Sequence, residues 1–365
     1  MNLRIRLYEP TLSQLTRDIF RRPVALLDAA KPANIGNLIF RWMVVACQAA
    51  TLLITWPLWQ MHQSPPMLPA LPLPRFDMGP LLLLSLVLIL IAPLRGTVVH
   101  TVLIIYAVFI DQMRLQPEIV SLVFLLWGTL PYPNAKAVAR AHLISLWLFA
   151  GLNKLFSPAF LNGTAQWMLS GLVPDAPGWL SANFGYLIVL GESGTGLLEV
   201  FPRTRKLAGV TAFALHIGIL LDLSAGHHWN QSVWPWQVAL ALSGFALIAP
   251  WQELPLDSLR SCHPLVRLMA IIILIAPALF YLRITDAYLA HNLYSSNVPS
   301  AGSNAFSPEV TWDAFNVPLP PEHRLYEQWF RLVCKPGDTL FIRDTRWWFR
   351  MIHLDQREIP CPSEP

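Results

Sequence analysis

Charge is scarce in this chain. Of its 365 residues only 13% are Asp, Glu, Lys or Arg, against about 25% in a typical soluble domain, which excludes an ordinary water-facing surface. Cysteine is scarcer still: Cys47, Cys262, Cys334 and Cys361 contain no CxxC pair, so neither a thioredoxin-like centre nor a zinc knuckle is expected. There is no internal repeat of solenoid length. The net charge of +4 is scattered over loops with no basic stripe or stacking platform, so no nucleic-acid partner is expected. The first 38 residues are polar and basic and lack a short apolar stretch followed by a small-residue cleavage site; no removable signal peptide is read there, and the first span serves as the signal itself.

What the chain has in abundance is apolar sequence. Hydrophobic residues make up 54%, the mean hydropathy is +0.45, and blocks such as Leu81–Leu94 and Leu268–Leu282 are too long and uniform to be one face of an amphipathic helix. Such blocks belong in lipid. Spans are expected at 39–58, 78–94, 97–111, 118–132, 138–156, 183–201, 207–223, 234–250 and 266–282. The fold class is therefore an all-α polytopic membrane protein of about nine transmembrane helices with a small C-terminal α+β extramembrane domain. The fourth span is the weakest, because its apolar core, Ile119–Leu130, is shorter than the roughly 20 residues of a perpendicular crossing.

Charge distribution tests that count. With the N-terminus inside, every inside segment is basic, whereas the outside edges hold only Arg75, Arg114 and Lys154 and the loop 157–182 has no Lys or Arg. The positive-inside rule then puts the C-terminus outside. Three regions follow: a cytoplasmic basic segment 1–38, a transmembrane domain 39–282 and an extracytoplasmic domain 283–365. Within the first, Pro10–Asp28 is read either as an interfacial amphipathic helix or as a disordered tail. In the last, Ser300–Ser303 reads as loop, Leu325–Val333 as helix, and the TLFIRD that follows a PGD turn as strand. Cys334 and Cys361 would be the two cysteines in an oxidising compartment and are expected to staple this small domain.

Ionisable groups inside spans are costly and hence informative. Lys154 ends the fifth span; it is either a lysine snorkelling to the interface or a base in a partly desolvated pocket. Glu192 and Glu199 lie seven residues apart in the sixth span, on nearly one helical face, and the glycines at 191, 194 and 196 would admit a close neighbour. Glu199 is expected to pair with Arg203 or Arg205 at the cytoplasmic edge. His216, in an apolar run, either satisfies one neighbour or transfers protons. Convergence of Lys154, Glu192 and His216 on one cavity is expected, because three costly groups are most cheaply kept when they satisfy one another. His227 and His228 form an adjacent pair, which by itself does not make a metal site.

Two segments carry a resemblance: FAGLNKLFSPAFLNG, from Phe149 to Gly163, and PRTRKLAGVTAFALH, from Pro202 to His216. They resemble the horizontally transferred transmembrane domain family, the bacterial relatives of the vitamin K-dependent γ-glutamyl carboxylase. The resemblance implies that Lys154 falls on the position of the base that deprotonates a reduced quinone so that it can react with oxygen. It also implies a reduced quinone as cofactor, a quinone or isoprenoid ligand, membrane lipids as surroundings and a bacterial inner membrane as location. Where the family has an acidic residue and a tryptophan after the lysine, this chain has Ser157, Pro158, Ala159 and Phe160, and its extramembrane part is only about 80 residues, so carboxylation of a glutamate-rich protein is not implied. A DoxX-type redox membrane protein is a weaker resemblance. The alternative reading is a non-catalytic scaffold presenting its C-terminal domain to an extracytoplasmic partner protein. Transport is less favoured, because there is no inverted repeat.

Overall fold

A computed structural model of the chain describes residues 35–346 and 355–362; the N-terminal stretch Pro10–Asp28 lies outside the described residues. The bundle runs α1 Ile35–Ile54, α2 Gly79–Ile91, α3 Pro93–Ile110, α4 Pro117–Gly128, α5 Pro133–Leu155, α6 Ala165–Leu172, α7 Gly178–Val200, α8 Arg205–Leu221, α9 Trp234–Ser243, α10 Pro255–Ser261 and α11 Pro264–Ile275, the last prolonged by a tighter turn, Ala276–Leu282. Proline stands in the first turn of α2, α3, α4, α5, α9, α10 and α11, where its missing N–H would have had no intrahelical partner in any case.

Each apolar block of the sequence is helical, with boundaries moved by a few residues. Among the described residues five helices are long and apolar enough to cross a membrane: Ile35–Ile54, Pro93–Ile110, Pro133–Leu155, Arg205–Gly226 and Pro264–Leu282. The segments Gly79–Ile91 and Pro117–Gly128 are apolar but shorter. The region 157–182, read from sequence as loop, contains α6 and a wider turn at Phe160–Thr164. Those residues pack on α7 through Phe160, Ala165 and Met168, a local apolar cluster too short to show as a periodic run.

The helix α5 is central. Of its most apolar stretch 67% is buried, against 17% for Pro264–Leu282, and it packs on α4, α7 and α11. The outward faces are apolar, with Leu187, Leu190 and Leu197 of α7 and Leu268, Ile272 and Ile275 of α11 exposed. A water-soluble bundle would not leave this much contiguous apolar surface uncovered.

The two ends of the bundle are joined differently. At one end Arg41 donates to Thr129 O at 3.1 Å, Arg140 to Leu247 O at 3.0 Å and His263 N to Asn134 Oδ1 at 3.3 Å. At the other sits the C-terminal part: β1 Ser300–Ser303, α12 Val310–Phe315, α13 His323–Val333, β2 Thr339–Arg343 and β3 Gln356–Pro360. The strands form one antiparallel sheet in the order β1-β2-β3. The α+β expectation holds there, but Ser300–Ser303 is a strand and not loop, because β2 offers it a ladder, Ser300 opposite Arg343 and Ser303 opposite Leu340. Backbone pairing here outweighs the turn propensity of Ser and Gly.

This unit docks on the bundle through α13. Arg324 grips Asp286 with two hydrogen bonds of 2.6 Å and donates to Gln112 Oε1 at 2.7 Å; Gln328 Nε2 donates to Pro69 O at 3.0 Å. Apolar burial is continuous across the junction, so that Phe315, Leu325, Phe330 and Ile342 share one cluster with Leu58, Leu68 and Met113. Cys334 and Cys361 are bridged, with Cα atoms 5.9 Å apart, and Cys47 and Cys262 are free and buried.

Candidate functional site

The site begins with two glycines. A Cβ built on Gly151 of α5 would lie 2.2 Å from Ser193 Oγ and 2.7 Å from Ser193 N, and one built on Gly196 of α7 would lie 2.7 Å from Leu148 N. The backbones of α5 and α7 are therefore in direct contact, the close approach that small residues permit between helices. One turn beyond Gly151, Lys154 reaches Glu192. Lys154 Nζ donates to Glu192 Oε1 at 2.9 Å and to Oε2 at 2.7 Å, with the two side chains only 5% and 7% exposed. Phe160 lies beneath, its ring centroid 5.7 Å from Nζ, within reach of a cation–π contact. Lys154 therefore does not snorkel; its charge is matched inside the protein.

Next to Lys154, Asn153 is fixed by hydrogen bonds to the chain beyond Ile275. Tyr281 Oη donates to Asn153 Oδ1 at 2.8 Å, Asn153 Nδ2 to Ala290 O at 2.7 Å, and Asn297 Nδ2 to Tyr281 Oη at 3.1 Å. The segment after α11 is thereby fastened over the end of α5.

His216 satisfies neighbours of its own, one of the two readings open to it. Trp147 Nε1 donates to His216 Nε2 at 2.7 Å, and because an indole can only donate, Nε2 must be the accepting nitrogen. The proton then sits on Nδ1, which donates to Gln237 Oε1 at 2.7 Å. Both nitrogens are occupied and the ring is held neutral. Among the described residues His216 makes no hydrogen bond to Lys154 or Glu192. What connects the two groups is α5 itself, since Trp147 and Lys154 are seven residues apart and share a face.

Glu199 departs from expectation. It is fully buried, and both carboxylate oxygens lack a hydrogen-bond partner among the described residues. Arg205 is fully buried beside it but donates to main-chain carbonyls instead, to Glu199 O at 2.8 Å and Trp251 O at 2.6 Å, while stacking 3.7 Å from the Trp251 ring. The carbonyls at the C-terminal end of α7 have no helical partner, and the arginine satisfies them in preference to the carboxylate. Of the three glycines at 191, 194 and 196, Gly196 alone meets α5; nothing lies within 4 Å of a Cβ at Gly194, and Gly191 has only Leu215 at 3.8 Å. Gly151, Trp147, Gln237 and Asn153 were not singled out by the sequence, although the seven-residue spacing of Trp147 and Lys154 was there to be read.

His227 stacks on Trp167, ring centroids 3.8 Å apart, with Nε2 3.5 Å from Asp222 Oδ1. Among the described residues no three His, Cys, Asp or Glu side chains form a metal-binding group.

Compared with known proteins, the chain matches no family model, no curated protein and no solved structure. The functional reading therefore rests on the residues and their geometry.

Proposed function

We propose that this chain is a membrane enzyme of the quinone-linked, carboxylase-like kind that the Lys154 and His216 segments resemble, with the Lys154–Glu192 pair as its acid–base centre. The observation that carries the reading is the pair itself: a lysine and a glutamate on adjacent apolar helices, each almost fully buried, joined by two short hydrogen bonds. Desolvating two charges costs several kcal/mol per ion, and apolar residues of similar size would often be as stable or more so, so packing alone gives little reason to keep them. Intramembrane ionisable groups are by default functional.

The chemistry open to these residues is proton exchange. Moving one proton from Nζ to a Glu192 oxygen turns the ion pair into a neutral amine and a carboxylic acid, and a neutral amine can accept a proton from an acidic hydroxyl of a bound ligand. A reduced quinone would supply that hydroxyl and the redox chemistry. Trp147 and His216, fixed to the same face of α5, act on this reading as positioning groups.

The proposed topology is nine crossings of a bacterial inner membrane, N-terminus inside and C-terminal domain outside. It is supported by the placement of Arg41, Arg140 and Arg205 at the end opposite the disulfide-bearing domain, in line with the positive-inside rule and with an oxidising exterior. A C-terminal reporter active only in the cytoplasm would overturn it.

Native mass spectrometry of the purified protein tests the ligand: a co-purifying quinone or isoprenoid is expected, and it should be lost in Lys154→Ala. Lys154→Arg should fail in turnover too, because arginine does not release its proton at workable pH; a fully active arginine variant would rule out the base. The scaffold reading draws on the same geometry, since a pair whose two charges match each other can be purely structural. It predicts no bound ligand and no loss when the pair is replaced by apolar residues.

A further inference from the structure

The described residues contain a second feature that the acid–base centre does not use, an open cleft of about 340 Å³ between the outer end of the bundle and the C-terminal domain. Its size falls within the range of small-molecule sites, roughly 300–1,000 Å³. Trp229, Trp312, Tyr288 and Tyr294 line it together with Glu309, and among the described residues no lysine or arginine does.

The aromatic rings are in contact with one another. The Trp229 centroid is 5.2 Å from that of Trp312 and 5.4 Å from that of Tyr294. Their planes are tilted by 39° and 48°, so they form a folded aromatic wall and not a flat stack. Such a wall offers apolar ring surface to the apolar face of a ligand.

The polar groups narrow the class further. The indole N–H groups of Trp229 and Trp312, the Tyr288 hydroxyl and the Glu309 carboxylate have no side-chain hydrogen-bond partner among the described residues. Asn230 Nδ2 donates to Tyr294 Oη, which leaves that hydroxyl's own proton free to donate. The lining residues thus carry uncommitted donors and one uncommitted acceptor. Among the described lining residues no cationic side chain offers a counter-charge to phosphate, sulfate or a carboxylate, whereas Glu309 would repel one, so an anionic ligand is disfavoured.

The walls are held in an uncommon backbone state. Tyr294 and Ser296 of the lining, and Asn230 and His291, each next in the chain to a lining residue, have left-handed φ between 50° and 59°, a conformation that costs of order 1–3 kcal/mol per non-glycine residue and collects at ligand sites. It is maintained by specific bonds: Thr164 and Ser296 share a hydroxyl contact of 2.7 Å, and Ser232 donates to Asn230 at 2.8 Å.

We propose that this cleft binds a neutral saccharide. A sugar ring has an apolar C–H face to lay on the Trp229–Trp312 wall, hydroxyls that donate to Glu309, and oxygens that accept from the indole and tyrosine donors. No other common small-ligand class combines an apolar face, many hydroxyls and no charge. The site is independent of the Lys154–Glu192 pair and stands whether or not that pair is catalytic.

The test uses the full chain in phosphatidylcholine nanodiscs, because detergents with sugar head groups would occupy the cleft. Tryptophan fluorescence and calorimetry are followed while neutral oligomers of glucose, galactose, mannose and N-acetylglucosamine are added, with glucuronate oligomers as the anionic counterpart. Saturable binding to at least one neutral oligomer is expected. Trp312→Ala should weaken it about tenfold, equivalent to 1.4 kcal/mol, Trp312→Phe should weaken it less, and Glu309→Gln should weaken it with an unchanged thermal midpoint. The proposal is overturned by no saturable binding to any neutral oligomer up to about 20 mM, an affinity below roughly 2.3 kcal/mol. It is equally overturned by binding that Trp312→Ala leaves intact in a folded protein, or by tighter binding of the glucuronates.

Discussion

Glu192→Gln leaves the Lys154 ammonium in a site 5% exposed, facing an amide in place of a carboxylate that accepts at 2.7 and 2.9 Å. Breaking a buried pair by removing one partner costs about 3–5 kcal/mol, much of it the penalty of the charge left behind. Lys154→Met should cost a similar amount by stranding Glu192. The double variant Lys154→Met, Glu192→Leu strands nothing, and replacement of a whole buried pair by apolar residues is often neutral or stabilising by roughly 1–4 kcal/mol. The cycle should therefore be strongly non-additive, with the double variant far more stable than the sum of the two singles. Reversible unfolding in mixed micelles, followed by circular dichroism, measures all four proteins. Single variants within about 1 kcal/mol of the parent, or a double variant that costs the sum, would refute the claim that the two charges depend on each other. The same double variant separates structure from function: if it is stable and yet no longer retains a quinone or isoprenoid, the pair is needed for the ligand and not for the fold.

Serine at Cys334 or Cys361 should lower the stability of the C-terminal domain by roughly 3–4 kcal/mol, as expected for opening a loop of 27 residues, and non-reducing peptide mapping that finds both thiols free would reject the bridge. Gly151→Ala should cost about 1–3 kcal/mol by overpacking, because the new methyl meets the backbone of Ser193, whereas Gly194→Ala, with nothing within 4 Å, should be neutral or better; equal thermal midpoints for the two would count against the α5–α7 contact. Glu322, outside the bundle, is pushed up from 4.5 to about 7 by burial and then by the neighbouring Asp286. Its protonated form is the one the fold favours, so its contribution is full below about pH 4.5 and is lost as pH rises through 7. Glu322→Gln should flatten stability across that window and exceed the parent at pH 8 in a thermal-shift series, and an unchanged pH profile would contradict the assignment.

Much of the fold was legible in the residues because lipid-facing helices must carry their own signal: an apolar block has no soluble alternative, and Leu81–Leu94 or Leu268–Leu282 could be placed without knowing any neighbour. The short fourth block also declared itself, since Pro117–Gly128 spans only 12 residues. Less legible were elements whose stability lies in a partner. Ser300–Ser303 is a strand through β2, and α6 is a helix packed on α7; neither has a pattern of its own.

The site divides the same way. Residue type and depth alone marked Lys154 and Glu192 as groups needing compensation, because an isolated charge in an apolar span is too costly to leave unpaired. Sequence also placed Cys334 and Cys361 together, through the arithmetic of compartment and domain size. Only the tertiary structure decided who compensates whom. It paired Lys154 with Glu192 because Gly151 and Gly196 let two backbones touch, turned His216 to Trp147 and Gln237 because those partners face it across the bundle, and sent Arg205 to carbonyls at the end of α7 and not to Glu199. Such choices depend on distances of a few ångströms between segments far apart in the chain, and spacing along one helix does not contain them.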